Sequence, residues 1–175
     1  MPYLFHKINI FMLLILIPAT VNAYQPPPSG KVDITMLNGQ PCFYYLQDKS
    51  RSFVYLAIST AGEGQWEIQI ANLDRKRLLD PNSPKACIKY GVLNPGMELI
   101  RPPVPLRLDA PYEVFMSVSD NSSYQWKYST NFCLTHNTKG ETILVGAEWD
   151  DKAGAMKCLK PGESKRGFWQ RLFGK

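Results

Sequence analysis

Hydrophobic and polar residues alternate along much of this chain with a period of two, which is typical of β-strands with one buried and one wet face. Three segments show the alternation most clearly. The residues expected to share a face within each segment are Val114, Met116 and Val118; Trp126, Tyr128, Phe132 and Leu134; and Ile143, Val145, Ala147 and Trp149. Leu144 interrupts the third pattern. Strands are therefore predicted at 112–119, 124–134 and 141–149.

Earlier apolar stretches predict strands at 32–37, 42–46, 53–58, 66–71 and 87–90. Asn38-Gly39 is a strong two-residue hairpin turn, and Gly62-Glu63-Gly64 is typical of a hairpin tip. The proline-rich stretches at 81–84 and 102–105 predict loops or edges, and 120–123 predicts a turn. Short strands with regular turns favour an all-β fold, an antiparallel β-sandwich resembling the immunoglobulin or fibronectin type.

Residues 1–23 differ from the rest of the chain and have the layout of a secretory signal peptide. Lys7 precedes an apolar run at 8–17 that Pro18 ends, and small or β-branched residues precede the predicted cleavage site after Ala23. The alternative is a membrane anchor, but a spanning helix needs about 20 apolar residues, roughly twice this run. Tyr24 follows the cleavage site, so no lipidated cysteine is expected there. We therefore expect export from the cytosol.

The mature part is predicted to contain a Pro-rich leader at 24–30 outside the fold, a sandwich domain at 31–159 and a basic aromatic tail at 160–175. The chain has 20 Lys+Arg and 15 Asp+Glu. One cation lies in 1–23, while five cations and one acid lie in the tail. The remaining body holds fourteen cations and fourteen acids, so its charge gives no reason to expect nucleic-acid binding.

The four cysteines all lie in the mature part, and an even count in an exported chain predicts two disulfides. Three pairings are open from the sequence. We favour the pairs that link neighbouring segments, Cys42–Cys87 and Cys133–Cys158. A metal site is the alternative, but the chain has no Cys-x-x-Cys pair and His136 is its only histidine beyond residue 23. No metal or cofactor is expected.

The tail mixes cations with large apolar side chains. Written as a helix, it forms i, i+4 pairs between Phe168 and Leu172 and between Trp169 and Phe173, with Arg166 and Arg171 among the cations. Such a segment is typical of contact with an anionic membrane surface or with a partner protein. The alternative is a tail that packs its aromatic rings back on the body.

Candidate catalytic residues are few, and no enzymatic activity is expected. His136 lacks a recognisable nucleophile, and disulfides would leave no thiolate. Glu148, Asp150 and Asp151 surround Trp149, a composition that suits glycoside chemistry. We favour the simpler interpretation of a solvated strand end with Trp149 in the core.

Four short sequence segments resemble a known bacterial domain. They are Asn38-Gly39-Gln40-Pro41-Cys42-Phe43, Cys87-Ile88-Lys89-Tyr90-Gly91, Tyr112-Glu113-Val114 and Asn131-Phe132-Cys133-Leu134. Together they are similar to a domain of unknown function in small enterobacterial periplasmic proteins, mostly lipoproteins, some of them described as candidate type VI secretion immunity proteins. The resemblance covers roughly residues 31–135 and rests on structural cysteines and their neighbours, so no catalytic residue is carried over.

These observations leave three hypotheses, of which an immunity-type protein that blocks a secreted toxin effector is the first. The second is an envelope structural or adhesion module that binds glycan or a secretion-machine component, with the tail on the membrane. The third is a small hydrolase using Glu148 or Asp151.

Overall fold

The computed structural model describes residues 29–46, 52–71, 80–119 and 125–163. The predicted signal peptide, most of the leader, the turn at 120–123 and the tail from residue 164 lie outside the described residues. The described residues form eleven strands: β1 (Ser29–Lys31), β2 (Asp33–Leu37), β3 (Gln40–Tyr44), β4 (Ser52–Thr60), β5 (Glu63–Ile70), β6 (Ile88–Lys89), β7 (Met97–Arg101), β8 (Tyr112–Ser119), β9 (Gln125–His136), β10 (Thr142–Asp150) and β11 (Ala155–Cys158).

The strands form two sheets. The large sheet has the order β11-β10-β9-β8-β4-β5-β7 with antiparallel neighbours, and the small sheet has the order β2-β3-β6. The short strand β1 lies off this path and pairs with β9 in parallel. The predicted all-β class and antiparallel sandwich are thus confirmed. The Asn38-Gly39 turn between β2 and β3 has positive φ at both residues, 52° and 77°, as a tight hairpin turn requires.

The core lies between the two sheets and is rich in aromatic rings. Phe43 of the small sheet lies 5.8 Å from Phe132 of the large one, measured between ring centroids. Trp66 meets Tyr90 edge-on at 5.1 Å. The faces predicted for β8 and β9 are confirmed, because Val114, Met116, Val118, Tyr128, Phe132 and Leu134 are all buried. Burial of these apolar side chains is the main stabilising contribution to the sandwich.

Two disulfides join neighbouring segments, as favoured from the sequence. Cys42 of β3 bonds Cys87, which precedes β6 within the small sheet. Cys133 of β9 bonds Cys158 of β11, so this bridge reaches across the intervening strand β10. Each half of the sandwich therefore has its own covalent link.

Strand β10 changes partners along its length. Its first half, Thr142 to Gly146, pairs with β9, and its second half, Ala147 to Asp150, pairs with β11. The part of β9 from Lys127 to Ser129 pairs with β1 instead. Ser29 and Gly30 therefore belong to the fold, and the expectation that the leader lies outside it is wrong for these two residues, because β9 offers them a free strand edge.

Candidate functional site

A cavity of about 470 Å³ lies at one end of the large sheet, on the side away from the core. Tyr112, Val114 and Met116 of β8 face the core, so by alternation Glu113 points the other way, towards this cavity. The lining residues come from β4 and its turn, from the start of β8, from β9, and from the hairpin of β10 and β11. The ones that matter for chemistry are Ser59, Tyr112, Glu113, Asn131, Trp149 and Met156.

One wall of the cavity is the β4–β5 turn. Ala61 and Gly62 both have positive φ, 47° and 83°, which makes the turn a tight two-residue connection. Beside it, the Thr60 hydroxyl donates a 2.7 Å hydrogen bond to the carbonyl of Pro111, the residue before β8. The turn is thus tied to the next element of the site, and this wall is held in place by backbone geometry and a cross-link.

The opposite wall is the β10–β11 hairpin, whose two faces differ in character. Trp149 is directly opposite Met156, and both line the cavity. Glu148 is directly opposite Lys157 on the other face. Because side chains alternate along a strand, this hairpin presents an apolar face to the cavity and an ionic face away from it.

The expectation that Trp149 lies in the core is wrong, and of the three acids around it Glu148 is buried while Asp151 is solvated as expected. The Trp149 residue is 51% exposed, whereas Glu148 is only 4% exposed. The physical reason lies at Leu144, which packs against the core and sets the inward face of β10. Glu148 is four residues further and shares that face, so its strand neighbour Trp149 points outward. Ala147, two residues before Trp149, is nevertheless buried.

The ionic face of the hairpin is organised by Lys157. Its Nζ lies 3.1 Å from Asp150 Oδ2 and 3.9 Å from Glu148 Oε1. Hydrogen bonding to Lys157, together with the backbone N–H groups of Lys152 and Ala153, lowers the pKa of Asp150 from its ordinary value. This ammonium therefore serves two carboxylates that do not line the cavity.

The floor of the cavity supplies its polar groups. Glu113 and Asn131 are directly opposite each other on β8 and β9, and Ser59 is opposite Glu113 on β4. The Tyr112 hydroxyl is already engaged, since it accepts a 2.7 Å hydrogen bond from the Arg107 N–H. The carboxylate, the amide and the serine hydroxyl thus form one row across three strands.

A second polar cluster lies further along the same outer side of the large sheet. The Tyr55 hydroxyl donates to Glu67 Oε2 at 3.2 Å, and Arg101 Nε lies 2.9 Å from Glu67 Oε1. Burial, followed by the nearby Glu67 charge, raises the pKa of Tyr55 above its ordinary value. These groups satisfy one another, so we regard the cluster as structural.

The other residues singled out from the sequence lie elsewhere. His136 is exposed at the end of β9, and Asp151 is exposed in the turn after β10; neither lines the cavity. The four cysteines are bonded, leaving no free thiol among the described residues. Within the same residues, no group of three His, Cys, Asp or Glu side chains is placed to hold a metal ion. The tail residues Arg166, Phe168, Trp169, Arg171, Leu172 and Phe173 lie outside the described part of the chain.

Sequence reasoning missed Glu113 and Asn131 as site residues. The alternation of β8 was a sufficient signal that Glu113 points away from the core. The proximity of Glu113 to Trp149 required the strand order, because the two are 36 positions apart in sequence.

Comparison with protein families, with curated proteins and with solved structures gave no match. In the described ranges we find no helix with the length and hydropathy needed to cross a bilayer. The class that the fold defines is an all-β, disulfide-bonded sandwich, and its large sheet carries a cavity with an exposed tryptophan at the edge.

Proposed function

We propose that this chain is an exported protein-binding module of the immunity type, which neutralises a toxin effector in the periplasm by occluding its working surface. The observation that carries the proposal is Trp149, half exposed at the edge of a preformed cavity. Tryptophan is among the residues most enriched where binding energy concentrates in protein interfaces. A large exposed indole beside a preformed cavity is well suited to contact a partner.

The support around Trp149 favours tight binding. At Trp149 strand β10 pairs with β11, and the Cys133–Cys158 bridge links β11 to β9, which pairs with the earlier half of β10. A side chain on such a rigid support loses little conformational freedom when a partner binds. The cavity wall formed by Met156 is fixed by the same bridge, two residues from Cys158.

Export to the periplasm is the part of the proposal that the signal-like residues 1–23 support. Two disulfides that join described strands are compatible with an oxidising compartment. The family resemblance in residues 31–135 supports the immunity role. No catalytic step enters this proposal, and we propose no cofactor.

The test is a binding measurement between the chain starting at Tyr24 and the product of each gene adjacent to its own. We expect one of these products to bind at nanomolar affinity and its toxicity to be suppressed by co-expression. Trp149→Ala should weaken that binding at least roughly 30-fold, the equivalent of a contact worth about 2 kcal/mol. The matched control is Leu93→Ala, because Leu93 is similarly exposed at 48% but does not line the cavity.

Absence of protection against every adjacent gene product would remove the immunity role. Equal loss of affinity in Trp149→Ala and Leu93→Ala would place the interface elsewhere on the domain.

The second candidate is an envelope structural or adhesion module that binds glycan or a secretion-machine component. It is favoured by the composition of the cavity, because an exposed indole beside the Asn131 amide and the Glu113 carboxylate offers a stacking face with polar partners. Binding of the mature chain to purified cell-wall glycan, lost in Trp149→Ala, would support it. Deleting residues 164–175 should abolish liposome binding if the tail contacts the membrane, with partner binding unchanged.

A further inference from the structure

We propose that the cavity beside Trp149 receives an arginine side chain of the bound partner, whose guanidinium stacks on the indole and pairs with Glu113. This inference rests on the proposed protein-binding function and names the chemistry of the contact.

The first argument is charge. Glu113 is exposed at the cavity and forms no salt bridge with any of the described residues. It brings the only formal charge among the residues that line the cavity within the described chain. Lys157, a cation on the adjacent hairpin, faces the opposite side and contacts Asp150 and Glu148. The cavity is therefore complementary to a positive charge supplied from outside.

The second argument is the apolar lining. Pro111, Ala155 and Met156 offer hydrocarbon surface, and Trp149 adds an indole ring. A cation over an indole face is attracted by the ring's quadrupole, and tryptophan is the most effective of the aromatic residues. The ligand that matches an apolar wall, an indole and a carboxylate together is an aliphatic stem ending in a cation.

The third argument selects arginine among such side chains. The guanidinium is planar, weakly hydrated and able to stack on an aromatic face while donating two hydrogen bonds to a carboxylate. Lysine carries a compact, strongly hydrated charge that gains less from an indole. The Asn131 side chain, directly across from Glu113, provides an amide oxygen that accepts a further N–H.

The experiment uses N-acetyl-arginine amide as the probe and N-acetyl-citrulline amide as its neutral analogue of nearly the same shape. Each is titrated into the ¹⁵N-labelled chain starting at Tyr24, and the indole N–H signal of Trp149 is followed by NMR. We expect arginine to bind roughly 5- to 30-fold more tightly than citrulline. Glu113→Gln should weaken arginine binding roughly 3- to 10-fold and leave citrulline unchanged.

The matched control is Glu63→Gln, because Glu63 is an exposed carboxylate beside the same turn but does not line the cavity. Its arginine affinity should equal that of the wild type. Thermal unfolding of both variants checks that they fold, and no large change is expected for either exposed site.

Equal affinities for arginine and citrulline in the wild type, or an unchanged arginine affinity in Glu113→Gln, would overturn the inference. Arginine binding that appears only after deletion of residues 164–175 would also overturn it, because the chain's own basic tail would then be the occupant. These probes need no partner protein. A partner bound through Trp149 without arginine preference would remove this inference alone, whereas arginine preference without any protein partner would remove the proposed function and leave only the selectivity of the cavity for arginine.

Discussion

Gly30 lies against the ring of Tyr128 so closely that a Cβ atom built at Gly30 would overlap the Cε1 and Cδ1 atoms of that ring. Tyr128 cannot easily move aside, because it is 1% exposed and stacks on Tyr45 with ring centroids 5.4 Å apart. The parallel pairing of β1 with β9 therefore depends on glycine at this position.

Gly30→Ala should destabilise the domain by about 1–3 kcal/mol, the cost typical of overpacking a filled site. Urea unfolding measures the change, and faster amide exchange at Val32, whose N–H bonds the Ser129 carbonyl at 3.4 Å, would show that β1 has detached. Lys31→Ala, on the exposed side of the same strand, is the control and should stay within about 0.5 kcal/mol of wild type. An unchanged midpoint in Gly30→Ala would show that β1 packs differently.

The strand Ser29–Lys31 also shows what the sequence could and could not predict. Alternation in three segments and short apolar stretches in five others were enough to find eight of the strands, and alternation gave the faces of β8 and β9. It missed β1, β7 and β11, which have three to five residues and show no clear alternation. Short segments such as these become strands because a neighbouring edge accepts them, and a partner far along the chain leaves no local signal.

The site was less predictable than the fold for a related reason. A period of two shows which residues share a face but not which of the two faces is buried. On β10 that choice depended on the contact of Leu144 with the core, and it reversed the roles expected for Glu148 and Trp149. That Trp149 and Glu113 line the same cavity also depended on the strand order, which alternation does not give.

The two disulfides should differ in what their removal does. Cys42 and Cys87 are 45 positions apart and Cys133 and Cys158 are 25 apart, so loop closure predicts losses of about 4 and about 3.5 kcal/mol respectively. Double alanine variants at each pair, compared by urea unfolding, test these values. Only the Cys133→Ala/Cys158→Ala variant should also accelerate amide exchange in β11 and weaken contacts made by Trp149.

The two variants are close to matched in stability, so each controls for the other. If both variants weaken the contacts of Trp149 equally, the weakening would reflect general loss of stability, and the bridge across β10 would have no special role in supporting the site.

We expect the protein to lose stability at alkaline pH because of the buried hydroxyl of Tyr90. Burial raises the pKa of its hydroxyl to about 12, from an ordinary value of 10.0. Between these values the unfolded chain has lost a proton that the folded protein keeps, so the free energy of unfolding falls as pH rises. The contribution is fully present below pH 10 and is lost as pH approaches about 12.

Tyr90→Phe should lose less stability at alkaline pH than the wild type does. The measurement is the shift in urea midpoint between neutral pH and the interval from pH 10.0 to about 12. At neutral pH the variant should be less stable by about 1 kcal/mol, because it lacks the 2.6 Å hydrogen bond from the Tyr90 hydroxyl to the Val104 carbonyl. Tyr44→Phe, on β3, is the control and should keep the full alkaline loss. Identical pH profiles for Tyr90→Phe and wild type would assign the loss to other groups.

We expect the stability of the β10–β11 hairpin to depend on the ammonium group of Lys157. Lys157→Ala removes the cation that lies 3.9 Å from the 4% exposed Glu148 and 3.1 Å from Asp150. A buried carboxylate deprived of a neighbouring cation is destabilising, and because Lys157 is itself partly exposed we expect a loss of about 1–2 kcal/mol. Lys152→Ala is the matched control, since its exposed side chain lies on the same turn, and it should change little. Adding Glu148→Gln to Lys157→Ala should recover part of the loss by removing the buried charge, measured by urea unfolding at neutral pH. No recovery in that double variant would show that the Lys157 stem contributes through packing and that its charge is not what stabilises the hairpin.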